Sequence, residues 1–206
     1  TQKIVTTGGS ICLGLCAGKS ITEGTGIGNV FLGACTGCTT GTGSENLAFG
    51  KQSLQNNSTG NRNVAIGAGA GFRVTGSDNL VFGRNAGCGI TSANCSVAIG
   101  NYAMRTTTNN STGHSNIGIG TFAMLKTITG SCNTAIGFCS LQNNDTGSKN
   151  VAIGPCALGQ GTTAITGNCN IAIGEATAWK NTSGSNNIAM GFASLGCNCT
   201  GSCNVA

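Results

Sequence analysis

Asn150-Val151-Ala152-Ile153-Gly154 decides the fold, because the chain keeps returning to it. The pattern recurs as Asn63-Val64-Ala65-Ile66-Gly67, Asn116-Ile117-Gly118-Ile119-Gly120, Asn133-Thr134-Ala135-Ile136-Gly137, Asn170-Ile171-Ala172-Ile173-Gly174 and Asn187-Ile188-Ala189-Met190-Gly191. Looser copies start at Ser10, Asn29, Asn46, Asn79 and Ser96, and Asn204-Val205-Ala206 opens one more. The eleven full copies begin 16 to 20 residues apart, most often 17. A fixed period of this length means stacked repeats, each leaning only on its neighbours. Seventeen residues are too few for a strand, a helix and their loops. They suffice for one coil of a parallel β-solenoid carrying two or three short strands. The expected fold is therefore all-β, a parallel β-solenoid of about eleven coils. Residues 1–9 form an N-terminal extended segment, and residues 10–206 form a single repeat domain.

Counting each coil from its Asn as position 1, positions 2 to 4 alternate with period two, which reads as a short strand. Position 4 is Ile, Leu, Phe or Met in every copy. It is the expected inward column, with Ile66, Ile99, Ile119, Ile136, Ile153 and Ile173 buried together. Position 3, mostly Ala (Ala65, Ala98, Ala135, Ala152, Ala172, Ala189), then faces outward and permits close approach of neighbouring copies. Position 5 is Gly throughout, which marks a corner that admits no Cβ. Position 8 is small and position 9 apolar or Gly, as in Leu54, Met104 and Leu141, so a second short strand is expected there. A polar arm follows and closes on Thr-Gly, as at Thr59-Gly60 and Thr146-Gly147, which is turn chemistry. Stacked Asn side chains at position 1 either form an internal amide ladder or serve only the turn conformation. Coils starting at Ser96 and Asn150 carry three extra residues within 105–110 and 159–164, expected to bulge outward. Residues 96–149 and 150–203 are thus two 54-residue super-repeats.

Composition narrows the function classes. Charged residues are 7% of the chain, against about 25% in ordinary soluble domains. The net charge of +5 is thinly spread and no Lys/Arg run exists, so neither nucleic acid nor an anionic membrane is an expected partner. No apolar run reaches the length of a membrane span. The sequence starts at Thr1 without a signal-peptide pattern and stops early in a repeat, which reads as a processed chain or a segment of a longer one. Glu23, Glu45, Asp78, Asp145 and Glu175 share no column, so no general acid–base pair is expected. His114 is the sole His and sits in a Thr-Gly turn. Cys35-Thr36-Gly37-Cys38 lacks a second pair at zinc spacing, so neither a metal nor a cofactor is expected. The chain does not read as an enzyme.

Thirteen cysteines suit an extracellular protein. Cys16 and Cys35 occupy position 7 of adjacent coils, and so do Cys139 and Cys156. Stacking puts such Cα atoms about 4.8 Å apart, inside the disulfide window. Disulfides Cys16–Cys35 and Cys139–Cys156 are therefore expected, the alternative being that Cys is a small apolar filler. Asn-x-Ser/Thr acceptors for glycans include Asn57, Asn94, Asn110, Asn144, Asn181 and Asn198, most of them in the polar arm expected to lie outside.

Asn/Ser-Val-Ala-Ile-Gly-x-x-Ala/Ser, as at 96–103 and 150–157, resembles the head repeats of trimeric autotransporter adhesins. Asn-x-Ala-Ile-Gly and Asn-x-Phe-Leu-Gly arrays with Thr-Gly closures are also similar to those of phage, algal-virus and bacterial surface fibres. The resemblance spans 10–206. It implies β-roll-like coils, in trimers of left-handed parallel rolls, and an adhesive role. The expected function is a structural or adhesive extracellular fibre subunit, at a cell surface or on a virion. Its partners are further copies of itself and a surface glycan or host receptor. Assembly is expected through exposed β-edges, head to tail, since no Pro, charge cluster or helix blocks either end. Ice binding is an alternative, and a polysaccharide-acting β-helix enzyme is another.

Overall fold

A computed structural model of the chain describes residues 5–7, 9–106, 111–159 and 163–206. Twelve strands form one sheet in strict chain order. The first, β1 (Val5–Thr7), runs antiparallel to β2 (Ser10–Leu13), pairing Val5 with Cys12 and Thr7 with Ser10. From β2 onward the eleven strands are parallel and in register. They continue as β3 (Val30–Leu32), β4 (Leu47–Phe49), β5 (Val64–Ile66), β6 (Leu80–Phe82), β7 (Val97–Ile99) and β8 (Ile117–Ile119). The last four are β9 (Thr134–Ile136), β10 (Val151–Ile153), β11 (Ile171–Ile173) and β12 (Ile188–Met190). Ten turns link β2 to β12, and the chain goes round once more to pair Val205 with Ile188. No helix is present among the described residues.

Register follows from the repeat itself: Ile136 pairs with Ile153 and Ile153 with Ile173, although one intervening coil is three residues longer. The extra length in the coils from Ser96 and Asn150 falls on residues 107–110 and 160–162. The expected outward bulges therefore lie outside the described residues. The ladder resumes directly after them, at the bridges Ile90–Ser111 and Asn144–Ile165.

The sheet is turned the other way from the expected one. Position 3 faces the core: Ala65, Ala98, Ala135, Ala152 and Ala172 are fully buried. Position 4 faces out: Ile66, Ile99, Ile119, Ile153 and Ile173 are only partly covered and Ile136 is exposed. The core is thin, and its bulk comes from the opposite wall, where Leu54, Met104, Met124, Leu141 and Leu158 at position 9 are all buried. A large side chain at position 3 would meet them, so size is traded between the two positions. Phe31 has Gly37 across from it, where a Cβ would come within 2.4 Å of the ring. Val81 faces Gly87, and Gly118 yields to Met104. Position 4 shows no such trade because nothing stands across from it. Close packing makes complementary volume the signature of the inside.

The wall carrying position 9 is not a second strand, as expected, but a zigzag. Residues at positions 7 and 9 adopt left-handed backbone, as in Cys139 (φ 53°) and Leu141 (φ 48°). Alternate N–H groups then point to opposite neighbours. Cys139 donates to the Thr121 carbonyl of one adjacent coil at 3.1 Å, and Leu141 to the Ala157 carbonyl of the other at 2.9 Å. Backbone hydrogen bonds between coils replace the sheet ladder here, which satisfies the polar groups of a buried wall.

The Asn column is a ladder. Asn133 Nδ2 donates to Asn116 Oδ1 at 3.1 Å and to the Gly147 carbonyl at 2.8 Å. Its own Oδ1 accepts the backbone N–H of Asn150 at 2.9 Å. The same contacts join Asn29, Asn46, Asn63 and Asn79, and again Asn150, Asn170, Asn187 and Asn204. Ser96 interrupts it but still donates its N–H to Asn79 Oδ1, while its Oγ accepts from Asn116 N–H. Asn133→Leu strands several buried partners at once and is expected to cost about 3 kcal/mol or more. Asn133→Ser, which copies the break at Ser96, is expected to cost less. Urea unfolding midpoints for the two variants check the order.

Candidate functional site

The outer face of the sheet is the feature that most needs a functional explanation. Positions 2 and 4 of every coil project from it. Ile11, Leu47, Phe49, Leu80, Phe82, Ile117, Ile171, Ile188 and Met190 are exposed, Phe49 at 53% and Met190 at 59%. Val30, Leu32, Val64, Val97 and Val151 are half-buried between them. Thr134 is the one polar residue in either column, and no charge occurs in them. Eleven strands at about 4.8 Å give an apolar strip roughly 50 Å long. At its β2 end it continues into an apolar groove of about 520 Å³ lined by Leu13, Leu15, Leu32, Ala34 and Phe49 beside the glycine corner.

Among the described residues each end of the sheet closes on a strand paired on one side only. The edge of β2 is covered by β1, so its N–H and C=O groups are already engaged. At the other end β12 pairs through Ile188 with Val205.

The acidic residues stay apart. Asp78 alone forms an ion pair among the described residues, accepting from Arg62 Nε at 2.7 Å and Nη2 at 2.9 Å across adjacent coils. The hydrogen bond from the guanidinium holds the Asp78 carboxyl below its usual range. His114 is exposed, its Nδ1 accepting the Asn94 N–H at 3.1 Å. No three of His, Cys, Asp and Glu converge on a metal-sized site among the described residues. No helix is long and apolar enough to cross a membrane.

Cys16 and Cys35 are stacked neighbours, as are Cys139 and Cys156, with all four residues in left-handed backbone. No disulfide joins either pair among the described residues. Parallel stacking sets the Cβ atoms as well as the Cα atoms near 4.8 Å, beyond the usual 3.5–4.5 Å Cβ separation of a disulfide. The Cα spacing alone therefore overstates the fit. Cys139 is buried, and burial, then the neighbouring Cys156, pushes its thiol up from the ordinary range.

The glycan acceptors are redistributed by the fold. Asn57, Asn144 and Asn181 are buried, not outside, and an N-linked glycan has no room there. Each amide caps its own turn: Asn57 donates to the Gly60 carbonyl at 3.1 Å and accepts the Gly60 N–H at 2.7 Å. Asn144 and Asn181 likewise donate to Gly147 and Gly184. Asn-x-Ser/Thr-Gly is thus the sequence of the closing turn, and the acceptor pattern is its by-product. Asn198 repeats this cap half-buried, and Asn94 is half-buried with its Oδ1 accepting the Ser77 N–H. Asn110 lies outside the described residues.

Compared with protein-family models, curated proteins and solved structures, the chain matches none.

Proposed function

We propose that the chain is a structural fibre subunit that associates side by side with further copies of itself through the outer face of its sheet. One observation carries this reading: two uncharged apolar columns run along the exposed face of eleven consecutive coils. Large apolar side chains more than a third exposed contribute roughly 70 Å² each, taking about 200 Å² for a fully exposed one. Eleven of them give roughly 800 Å², above the largest patch of a typical monomer and equal to one partner's share of a standard interface. Lateral contact is favoured over head-to-tail stacking because the apolar face spans eleven strands, whereas each end of the sheet offers one short strand. Ice binding has less support, since the outer face presents Thr134 and no further Thr in its two columns.

An extracellular place for such a rod agrees with its thirteen cysteines. There, Cys139–Cys156 and Cys16–Cys35 would staple adjacent coils after a closure of a few tenths of an ångström. Peptide mapping without reductant is expected to recover both pairs from air-oxidised protein. Recovery of unlinked peptides would leave Cys as filler. Negative-stain micrographs of the native material test assembly. Bundles or filaments several rods wide are expected, whereas a field of single rods about 50 Å long would refute lateral association.

A further inference from the structure

Away from the sheet face, the rod carries a notch with a different chemistry. At positions 6 and 7 one coil contributes Ala68 and Gly69, while the coils on either side contribute Lys51 and Gln52, and Arg84 and Asn85. Small residues between longer ones leave a cavity of about 420 Å³, closed on one side by Phe72 and Cys88. Gly69 (φ 67°) leaves the floor of the notch open, since the neighbouring coils carry Gln52 and Asn85 at the same position. No carboxylate lines the cavity.

Cations cluster around it. Arg73 lies over the Phe72 ring at 6.0 Å. Arg84 and Arg105 lie over Tyr102 at 5.7 and 5.2 Å, and Tyr102 stacks on Phe122 at 5.5 Å between centroids. Seven of the ten Lys and Arg residues fall at positions 6, 10 and 11, against a single acid, Glu175. No basic run is visible in the sequence because stacking, not adjacency, gathers these side chains.

We propose that this notch binds one acidic sugar unit of an anionic polysaccharide. Phe72, half-buried at the wall, offers an aromatic surface for the C–H face of a pyranose ring. Gln52 and Asn85 supply amide donors and acceptors for hydroxyls. Lys51 and Arg84 at the rim meet the carboxylate or sulfate, the guanidinium of Arg84 offering two parallel N–H donors. The volume falls at the lower end of ligand pockets, about 300–1,000 Å³. Of these rings and cations only Phe72, Lys51 and Arg84 line the notch, which has room for one sugar ring, whereas a nucleic-acid groove needs several bases stacked in series.

Fluorescence anisotropy tests this with labelled trigalacturonate as the carboxylate probe and a heparin tetrasaccharide as the sulfate probe. Maltotriose serves as the neutral competitor and a thymidine oligonucleotide as the unrelated polyanion. At least one acidic sugar is expected to bind, the one that does so identifying the anionic group, and maltotriose is expected not to compete. Arg84→Gln and Phe72→Ala should each weaken binding about tenfold. Ala68→Phe should abolish it by filling the notch, and the same column already holds Phe138 and Phe192, so the fold accommodates the ring. Arg62→Gln, a cation in another column, should leave binding unchanged. Ile136→Asp, on the sheet face, should also leave it unchanged, which separates this site from lateral assembly. Absence of binding by both acidic sugars overturns the proposal. So does equal weakening by Arg62→Gln and Arg84→Gln, or tighter binding of the oligonucleotide than of either sugar.

Discussion

Ala135→Asp is expected to unfold the central coils, whereas Ile136→Asp, one residue along the same strand, is expected to leave the isolated rod folded. Ala135 is fully buried and Ile136 is 38% exposed. An aspartate at 135 would put an unpaired carboxylate into a dry core against Leu141, at a cost above about 4 kcal/mol. At 136 the carboxylate reaches water, and the effect on the fold stays within about 1 kcal/mol. Because each coil is stabilised by its neighbours, the damage at 135 should spread to the coils on both sides. Thermal unfolding followed by circular dichroism separates the two outcomes. Equal destabilisation by both variants would mean that neither face is free.

Gly137→Ala should be nearly as damaging, for a different reason. Gly137 has φ 133°, a conformation closed to residues with a Cβ, and that Cβ would come within 2.6 Å of the Gly154 carbonyl in the next coil. The strain alone costs about 1–3 kcal/mol. The collision is with backbone, so only separation of the two coils relieves it, and a total above about 3 kcal/mol is expected. Gly191 provides the control. Its φ is 109° and no atom lies within 4 Å of an added Cβ, so Gly191→Ala should cost the strain term only. The difference between the two urea midpoints, at unchanged m-value, reports the inter-coil contact.

The solenoid, its period and its register were legible in the sequence because a repeat that never slips across Gly at position 5 allows little else. The direction of the sheet was misread. Period two says only that positions 2 and 4 share a face and position 3 takes the other, and it does not say which of the two faces is inward. The deciding signal was present: Phe31 goes with Gly37, Val81 with Gly87, Ala135 with Leu141. It lies in the covariation of positions 3 and 9 and requires the opposite wall to be placed first. The Asn ladder was read as one of two outcomes and is the one found. Asn57, Asn144 and Asn181 were placed outside because the arm is polar. Their burial depends on an amide cap to Gly three residues on, which polarity does not reveal. The cluster of Lys51, Arg73, Arg84 and Arg105 is not legible as a basic run because its members lie in different coils and are brought together only by stacking.

Sedimentation equilibrium of the wild-type chain beside an Ile119→Asp/Ile136→Asp variant tests most directly whether the outward apolar face joins copies together. At tens of micromolar the wild type is expected to run at a multiple of 20.2 kDa, and the variant as a folded species of 20.2 kDa. A wild type that stays at 20.2 kDa, or a variant that is folded and still associates as the wild type does, would contradict it.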